Sequence, residues 1–576
     1  MFNSNSNNSS SFFKSLIDVF KYSPKTMYNF SLPNNQFEDE SVDNSNLRPV
    51  ENIKQSVYPS VSVNLEYINV KYNSLINSDI KIREFTLLAR GKSYNAFILY
   101  IDGMSDAKSI NRFILHPLML RNKANTFDKS QEMVTSNSKD NSINVKKIDK
   151  FDLVEYISSS LIPHNDIKKA QNFEDVINSV NAGECALFVD TLPIAFISDL
   201  KGFEKRAIAP PNNEIVIRGS QEAFVESIRT NTSMLRRLVN NENLVIENTS
   251  VGIVSKTNCA ICYIKDIANE GLVSEVKYRV NNLNVDYIIS SGQLEQLIKD
   301  DGNSGLPEAL VTERPDNAAT FLLEGRVILL INGSPICLIL PCTFFDLLSS
   351  PEDRNINHKF SNLLRLIRLI AVFITLLLPG LYVAITSFHE ELIPTELLFS
   401  IISARSSVPF SILFEILLME ISFELIREAG IRVPAPIGST MGIVGALVLG
   451  EAAVSASIVS PISIIIVAIT GLASFAIPNF SFEFQLRISR FIFIILGAIS
   501  GFLGISLGLF IYLALLCNYK SFGVSYLAPY VPLSKINNEG YWLHPIWKRE
   551  KRTDELNTKR INKESHISMT WKKGGN

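Results

Sequence analysis

FIFIILGAISGFLGISLGLFIYLALLCNY, Phe491 to Tyr519, contains no charged residue. A helix needs about 20 mostly apolar residues to cross the hydrocarbon layer of a bilayer, so this stretch predicts a membrane-spanning helix. Leu369 to Phe388, directly behind Arg365 and Arg368, reads the same way, and so does the uncharged run Ala452 to Phe482. The wider region Pro436 to Pro478 is too long for one helix and is expected to break at Pro461. Buried helices of soluble proteins rarely sustain such runs.

The chain-wide averages hide this division: 576 residues, formal charge -2, 46% hydrophobic and 19% charged. Before about residue 360, apolar and charged positions alternate as in a soluble protein. Runs such as Ala96–Asp102, Cys185–Asp190 and Val327–Gly333 read as buried strands, whereas Asp149–Ile162 and Ser220–Val239 read as helices. The expected fold is therefore an α/β cytoplasmic N-terminal region of two subdomains (70–208 and 209–360, divided at the APPNNE turn), followed by an all-α multi-helix transmembrane domain (361–519). An Asn/Ser-rich arm, 1–69, is expected to be disordered, and a basic tail spans 520–576. No internal repeat is visible, and no signal peptide opens the chain.

Arg354, Lys359, Arg365 and Arg368 before the first crossing, and the basic tail after the last, place both ends on the cytoplasmic side. That requires an even number of crossings, but Arg487 and Arg490, read as a loop, compete for the same side, and the count is four or five. Val408–Gly430 sets Glu420, Glu424 and Arg427 on one helical face at i, i+4, i+7. It either lies along the interface with its acids solvated or lines a pore vestibule.

Chemical motifs dissolve on inspection. Cys259 and Cys262 form a C-x-x-C inside a strand-like run, where positions three apart face opposite sides. His389-Glu390-Glu391 begins a zinc-protease pattern, but Ile393 stands where the second His is needed. The six cysteines show no disulfide framework. No metal, cofactor or nucleic-acid site is indicated, and nothing makes a case for an enzyme.

What stands out lies in the membrane half. Pro379, Gly380 and Pro461 are expected helix breaks. Gly442, Ala446, Gly450, Ala453 and Ser457 form a small-residue stripe suited to close helix packing, as do Gly497, Gly501, Gly504 and Gly508. Glu451 flanks the first stripe and would share a helical face with Ser455 and Ile458. A charge at bilayer depth costs several kcal/mol unless water or a partner compensates it, so Glu451 either lines a hydrated path or sits hydrogen-bonded in a helix interface.

Long strings closely resemble the A subunit of GerA-type spore germinant receptors, and within that family the GerK-like clostridial branch. They include TERPDNAATFLLEGRVILLINGSPICLILPCTFFDLLSSPEDR, LLPGLYVAITSFHEELIPTELLFSIISARSSVPF, PIGSTMGIVGALVLGEAAVSASIVSP and SFGVSYLAPYVPL, within a likeness running from about residue 70 to about 550. Glu390 and Ser411 stand where many members have Pro. The resemblance implies an integral protein of the spore inner membrane that acts with a transporter-like B subunit and a lipoprotein C subunit. It implies a nutrient signal, taken up perhaps through B, that starts germination, and assembly into a homo-oligomer, a pentamer, forming a ligand-gated cation channel. On that reading the face of Glu451, Ser455 and Ile458 lines the path, with Val454 or Ile458 as an apolar gate. The alternatives are a non-conducting scaffold subunit and a stand-alone secondary transporter.

Overall fold

The computed structural model of the protein describes residues 30–33, 55–120 except 90–91, 152–202 except 164–165, 210–432 except 212 and 303, 450–533, and 540–563 except 550. The soluble half is α/β and built twice. In the first subdomain, β1 (Ile80–Ala89), β2 (Lys92–Ile101), β3 (Ile167–Ala170), β4 (Cys185–Val189) and β5 (Ala195–Ser198) form an antiparallel sheet in the order β1-β2-β4-β5-β3. In the second, β6 (Leu244–Val251), β7 (Thr257–Ile264), β8 (Leu310–Thr312), β9 (Val327–Ile331) and β10 (Cys337–Leu340) repeat it as β6-β7-β9-β10-β8, again antiparallel throughout.

The chain thus contains an internal duplication that its sequence conceals. One constant offset separates Gly183 from Gly325 and Thr191 from Gly333, all with positive φ, and Pro193 from Pro335. Turn geometry persists where side chains have diverged, because few residues tolerate φ > 0.

Apolar clusters cover both faces of each sheet. Helix α1 (Val61–Tyr72) buries Val61, Ile68 and Tyr72 against the first sheet, so ordered structure begins well before residue 70. The helix expected over 220–239 is shorter, α3 (Ile228–Leu238). On β7, Cys259 faces one apolar cluster and Cys262 the opposite one, and burial pushes both thiols up, Cys259 to about 12. The subdomains meet at a buried ion pair: Arg236 donates from Nε to Asp79 Oδ2 at 3.0 Å and from Nη2 to Asp79 Oδ1 at 2.9 Å.

The helical half starts from α7 (His358–Phe388), capped by Asn357. At its foot the buried Asp353 accepts from Arg365 Nε (3.0 Å) and Arg368 Nη1 (2.7 Å), fixing the helix to the second subdomain. The break expected at Pro379 and Gly380 does not occur: α7 runs on through both. Gly380 serves close approach instead. A Cβ there would sit 2.7 Å from Phe493 O, and one on Gly497 would sit 2.6 Å from Gly380 O.

Helix α8 (Thr395–Arg405), α9 (Ile412–Arg432) and α10 (Pro461–Phe475) follow, and Pro461 occupies the first turn of α10 behind the Ser460 cap. The last helical element, α11 (Phe480–Asn518), is a hairpin of two helices. Gly501 (φ 58°, ψ −136°) interrupts it. Phe493 and Tyr512 would lie about 28 Å apart on one straight helix, yet their rings are 6.2 Å apart. Phe491–Tyr519 is therefore not one crossing but the end of an outgoing arm and a returning one. Gly501 is the turn, and Gly504 and Gly508 pack on Leu496 of the outgoing arm. A glycine stripe reads the same on a straight helix and on a hairpin; only the positive φ at Gly501 separates them. Arg487 and Arg490 likewise lie within the outgoing arm, not in a loop.

The return arm brings the chain back to the second subdomain. Tyr519 Oη donates to Glu308 Oε1 at 2.6 Å, and Ser521 Oγ donates to the Glu308 carbonyl at 2.7 Å. Burial pushes the Glu308 carboxyl up to about 7 despite the Tyr519 bond. The tail then packs along the same subdomain, with Asn269 donating to the Asn557 carbonyl at 2.9 Å.

Candidate functional site

Among the described residues of the helical half, the densest buried chemistry is a charged seam between α9 and the outgoing arm of α11. Glu420, Glu424 and Arg427 occur at i, i+4, i+7 on α9, and Glu483, Arg487 and Arg490 repeat that spacing on α11. The two helices run antiparallel, so the triplets meet in reverse order with opposite signs. Arg490 Nη2 lies 2.9 Å from both Glu420 Oε2 and Glu424 Oε1. Arg487 Nη1 lies 2.5 Å from Glu424 Oε2, and Arg427 pairs with Glu483 while donating to Ser474 Oγ of α10 at 3.2 Å.

Nearer the other end, Glu415 is fully buried and caps α10. It accepts from Ser460 N (3.1 Å), Ser460 Oγ (2.9 Å) and Ser463 Oγ (2.9 Å), and pairs with Arg405 Nε at 3.2 Å. Four carboxylates therefore face four guanidiniums, and the seam is formally neutral. Burying any one of these ions alone would cost several kcal/mol; pairing is what makes the arrangement tenable.

Glu420 and Arg490 are 0% and 1% exposed, and Arg490 lies about 15 Å from either end of its arm by helical rise. The oxygens of Glu420 hold Arg490 by charge without hydrogen-bond geometry to any protein donor. A cavity of about 200 Å³ beside Glu424, Arg427 and Arg487 has room for several waters. The solvated interfacial placement expected for the α9 acids does not hold: Glu420 is buried and Glu424 is half-buried, with 27% of its side chain exposed, because α11 supplies complementary guanidiniums at matching spacing. The signal was present in the sequence as two i, i+4, i+7 triplets, and was missed because the second was read as a loop.

The other expected site residues are distributed as follows. A helical stretch covers 450–455, with Glu451 and Ser455 exposed and Val454 half-buried. Ser457 turns to φ 56° and ends it, so Ile458 leaves the helix and does not continue the face of Glu451 and Ser455. Ala453 packs in a cluster with Tyr382, Ile412 and Ile494, which sets this stretch at bundle depth. A Cβ on Gly450 would meet Ile464 at an ordinary 3.9 Å. Gly442 and Ala446 lie outside the described residues.

A duplicated α/β module seated on a helical bundle, with His358–Phe388 long and apolar enough to cross a membrane and Phe480–Asn518 an apolar helical hairpin, defines the class of protein. The Bacillus/Clostridium GerA spore germination protein model matches residues 66–555. Spore germination protein KA of Bacillus subtilis is 36% identical over 501 residues, covering 87% of this chain and 87% of that protein. Spore germination protein B1 of the same organism is 37% identical over 434 residues, 75% of this chain and 85% of that protein. The crystal structure of the N-terminal domain of the A subunit of the Bacillus megaterium spore germinant receptor GerK3 matches half of this chain and 98% of its own, at 29% identity and a TM-score of 0.35. The chain belongs to the GerA spore germination family.

Proposed function

We propose that this chain is the A subunit of a nutrient germinant receptor of the spore inner membrane, with its α/β half in the cytoplasm. Copies assemble around a gated cation path, in company with B and C subunits; the nutrient acts through its differential affinity for closed and open states. Family membership across most of the chain supports the receptor role. The observation that carries the channel is Glu451, an exposed carboxylate beside Ser455 on a helix packed at bundle depth. Lipid cannot face such a group cheaply, whereas a water-filled axis between copies can. Val454, on the same stretch, supplies apolar surface for a gate that closes by dewetting. The charged seam behind it holds α9 and α11 in one register.

A scaffold reading draws on the neutrality of the seam, whose four carboxylates are each paired with a guanidinium. Nutrient-triggered cation release from spores carrying Glu451→Gln, at protein levels matched by immunoblot, separates the two. A changed release rate or ion preference supports the channel, and wild-type release contradicts it.

A further inference from the structure

We infer that the segment after the last helix is a membrane-surface collar that binds anionic phospholipid headgroups around the foot of α7; this rests on α7 crossing the bilayer. Trp542 and Trp547 are 41% and 46% exposed, and Leu533 and Ile546 are 73% and 65% exposed. A soluble tail has little reason to present such groups together, whereas Trp and Tyr concentrate at membrane–water interfaces, where an apolar body and a polar edge are both satisfied.

Contacts with α7 itself fix Tyr541, Leu543 and Trp547. Asn362 and Leu543 exchange hydrogen bonds of 3.1 and 2.8 Å, Tyr541 Oη donates to the Arg365 carbonyl at 2.6 Å, and the Trp547 ring meets His358 edge-on at 6.3 Å. The collar therefore stands level with the first two turns of α7, just below the lipid-facing row of Ile367, Ile370 and Phe373, each about half exposed. The headgroup layer is on the order of 6 Å deep on each side of the hydrocarbon, which is about one helical turn. The same level carries Phe360 at 66% exposure, so the apolar surface of the collar continues that of the helix.

Charge selects the lipid. Lys359 stands in the first turn of α7, and Lys548, Arg549 and Lys551 follow Trp547 within four residues of the chain. Of the two acids in the turn before α7, Asp353 is buried and held by Arg365 and Arg368, and Glu352 is half-buried. Cations placed at a bilayer surface favour anionic headgroups, each by about fivefold.

The test uses the full-length chain in lipid nanodiscs. The sequence has three tryptophans, so Trp571→Phe leaves emission from the collar alone. Lipids brominated near the headgroup should quench Trp542 and Trp547 more than lipids brominated near the chain end, and more in phosphatidylglycerol than in phosphatidylcholine. Lys548→Gln with Lys551→Gln should lower the preference for phosphatidylglycerol by about fivefold per neutralised cation. Absent quenching, with water-soluble quenchers reaching both rings freely, overturns the collar. Quenching indifferent to lipid charge and to the Gln pair overturns the assignment to anionic lipid.

Discussion

Replacing Arg490 by Met would strand Glu420, because no other guanidinium among the described residues pairs with it, while Glu424 keeps Arg487. The stranded carboxylate must keep its charge in apolar surroundings or take up a proton. From an ordinary carboxylic acid, protonation at neutral pH costs about 3 to 4 kcal/mol, which falls within the roughly 3–5 kcal/mol lost when one partner of a buried pair is removed. Interhelical polar contacts in membranes are often weaker, about 1–2 kcal/mol. Full burial of both groups argues for the larger figure here. Arg490→Met should lower the thermal midpoint of the detergent-solubilised protein by on the order of 10 °C, read by size-exclusion chromatography after heating. Glu420→Met combined with Arg490→Met should recover to within about 1 kcal/mol of the native protein, since an apolar pair can replace a buried ion pair at little cost. If the double variant is as unstable as the single one, or the single one is as stable as the native protein, the two residues are not partners and the seam is wrong.

Other outcomes follow from the same structure. The raised Glu308 carboxyl stabilises the fold fully below its unfolded value of about 4.5, and that contribution is lost as pH rises through about 7, an effect on the order of 3 kcal/mol. Glu214, pushed by burial to about 7, and Glu555, to about 8, act in the same direction. The thermal midpoint should therefore fall between pH 5.5 and pH 8, and Glu308→Gln should flatten part of that slope; an unchanged slope would contradict it. Gly380→Leu or Gly497→Leu forces apart helices in backbone contact and should abolish the folded protein in membranes, whereas Gly292→Ala, with open space around it, should be silent in the same immunoblot. Val454→Ala should give premature germination, scored as loss of heat resistance without nutrient, and normal dormancy would count against an apolar gate there.

Much of this architecture was legible. Buried strands announced themselves as short apolar runs, and β4 and β9 lie where Cys185–Asp190 and Val327–Gly333 predicted them. The division near residue 360 followed from charge density alone. Three features were hidden for physical reasons. The duplication survives in topology and positive-φ turns, and strand periodicity cannot compare topologies. The hairpin at Gly501 is invisible to a hydropathy scan, because an uninterrupted apolar run fits one helix or two packed back to back. The seam required pairing two distant triplets, and treating Arg487 and Arg490 as loop residues discarded half of it. Glu451 was legible as an anomaly, but the end of its helix at Ser457 was not, since a serine in the left-handed region carries no sequence mark.

The claim that most needs testing is that copies of this chain enclose a cation path lined by Glu451. The direct measurement is ion selectivity of the purified receptor in proteoliposomes, from reversal potentials under a potassium chloride gradient with nutrient present. The native protein should pass cations over anions, and Glu451→Lys should reduce or reverse that preference while the oligomer stays intact. Absence of nutrient-dependent current from intact receptor, or identical selectivity in the Lys variant, would contradict the account.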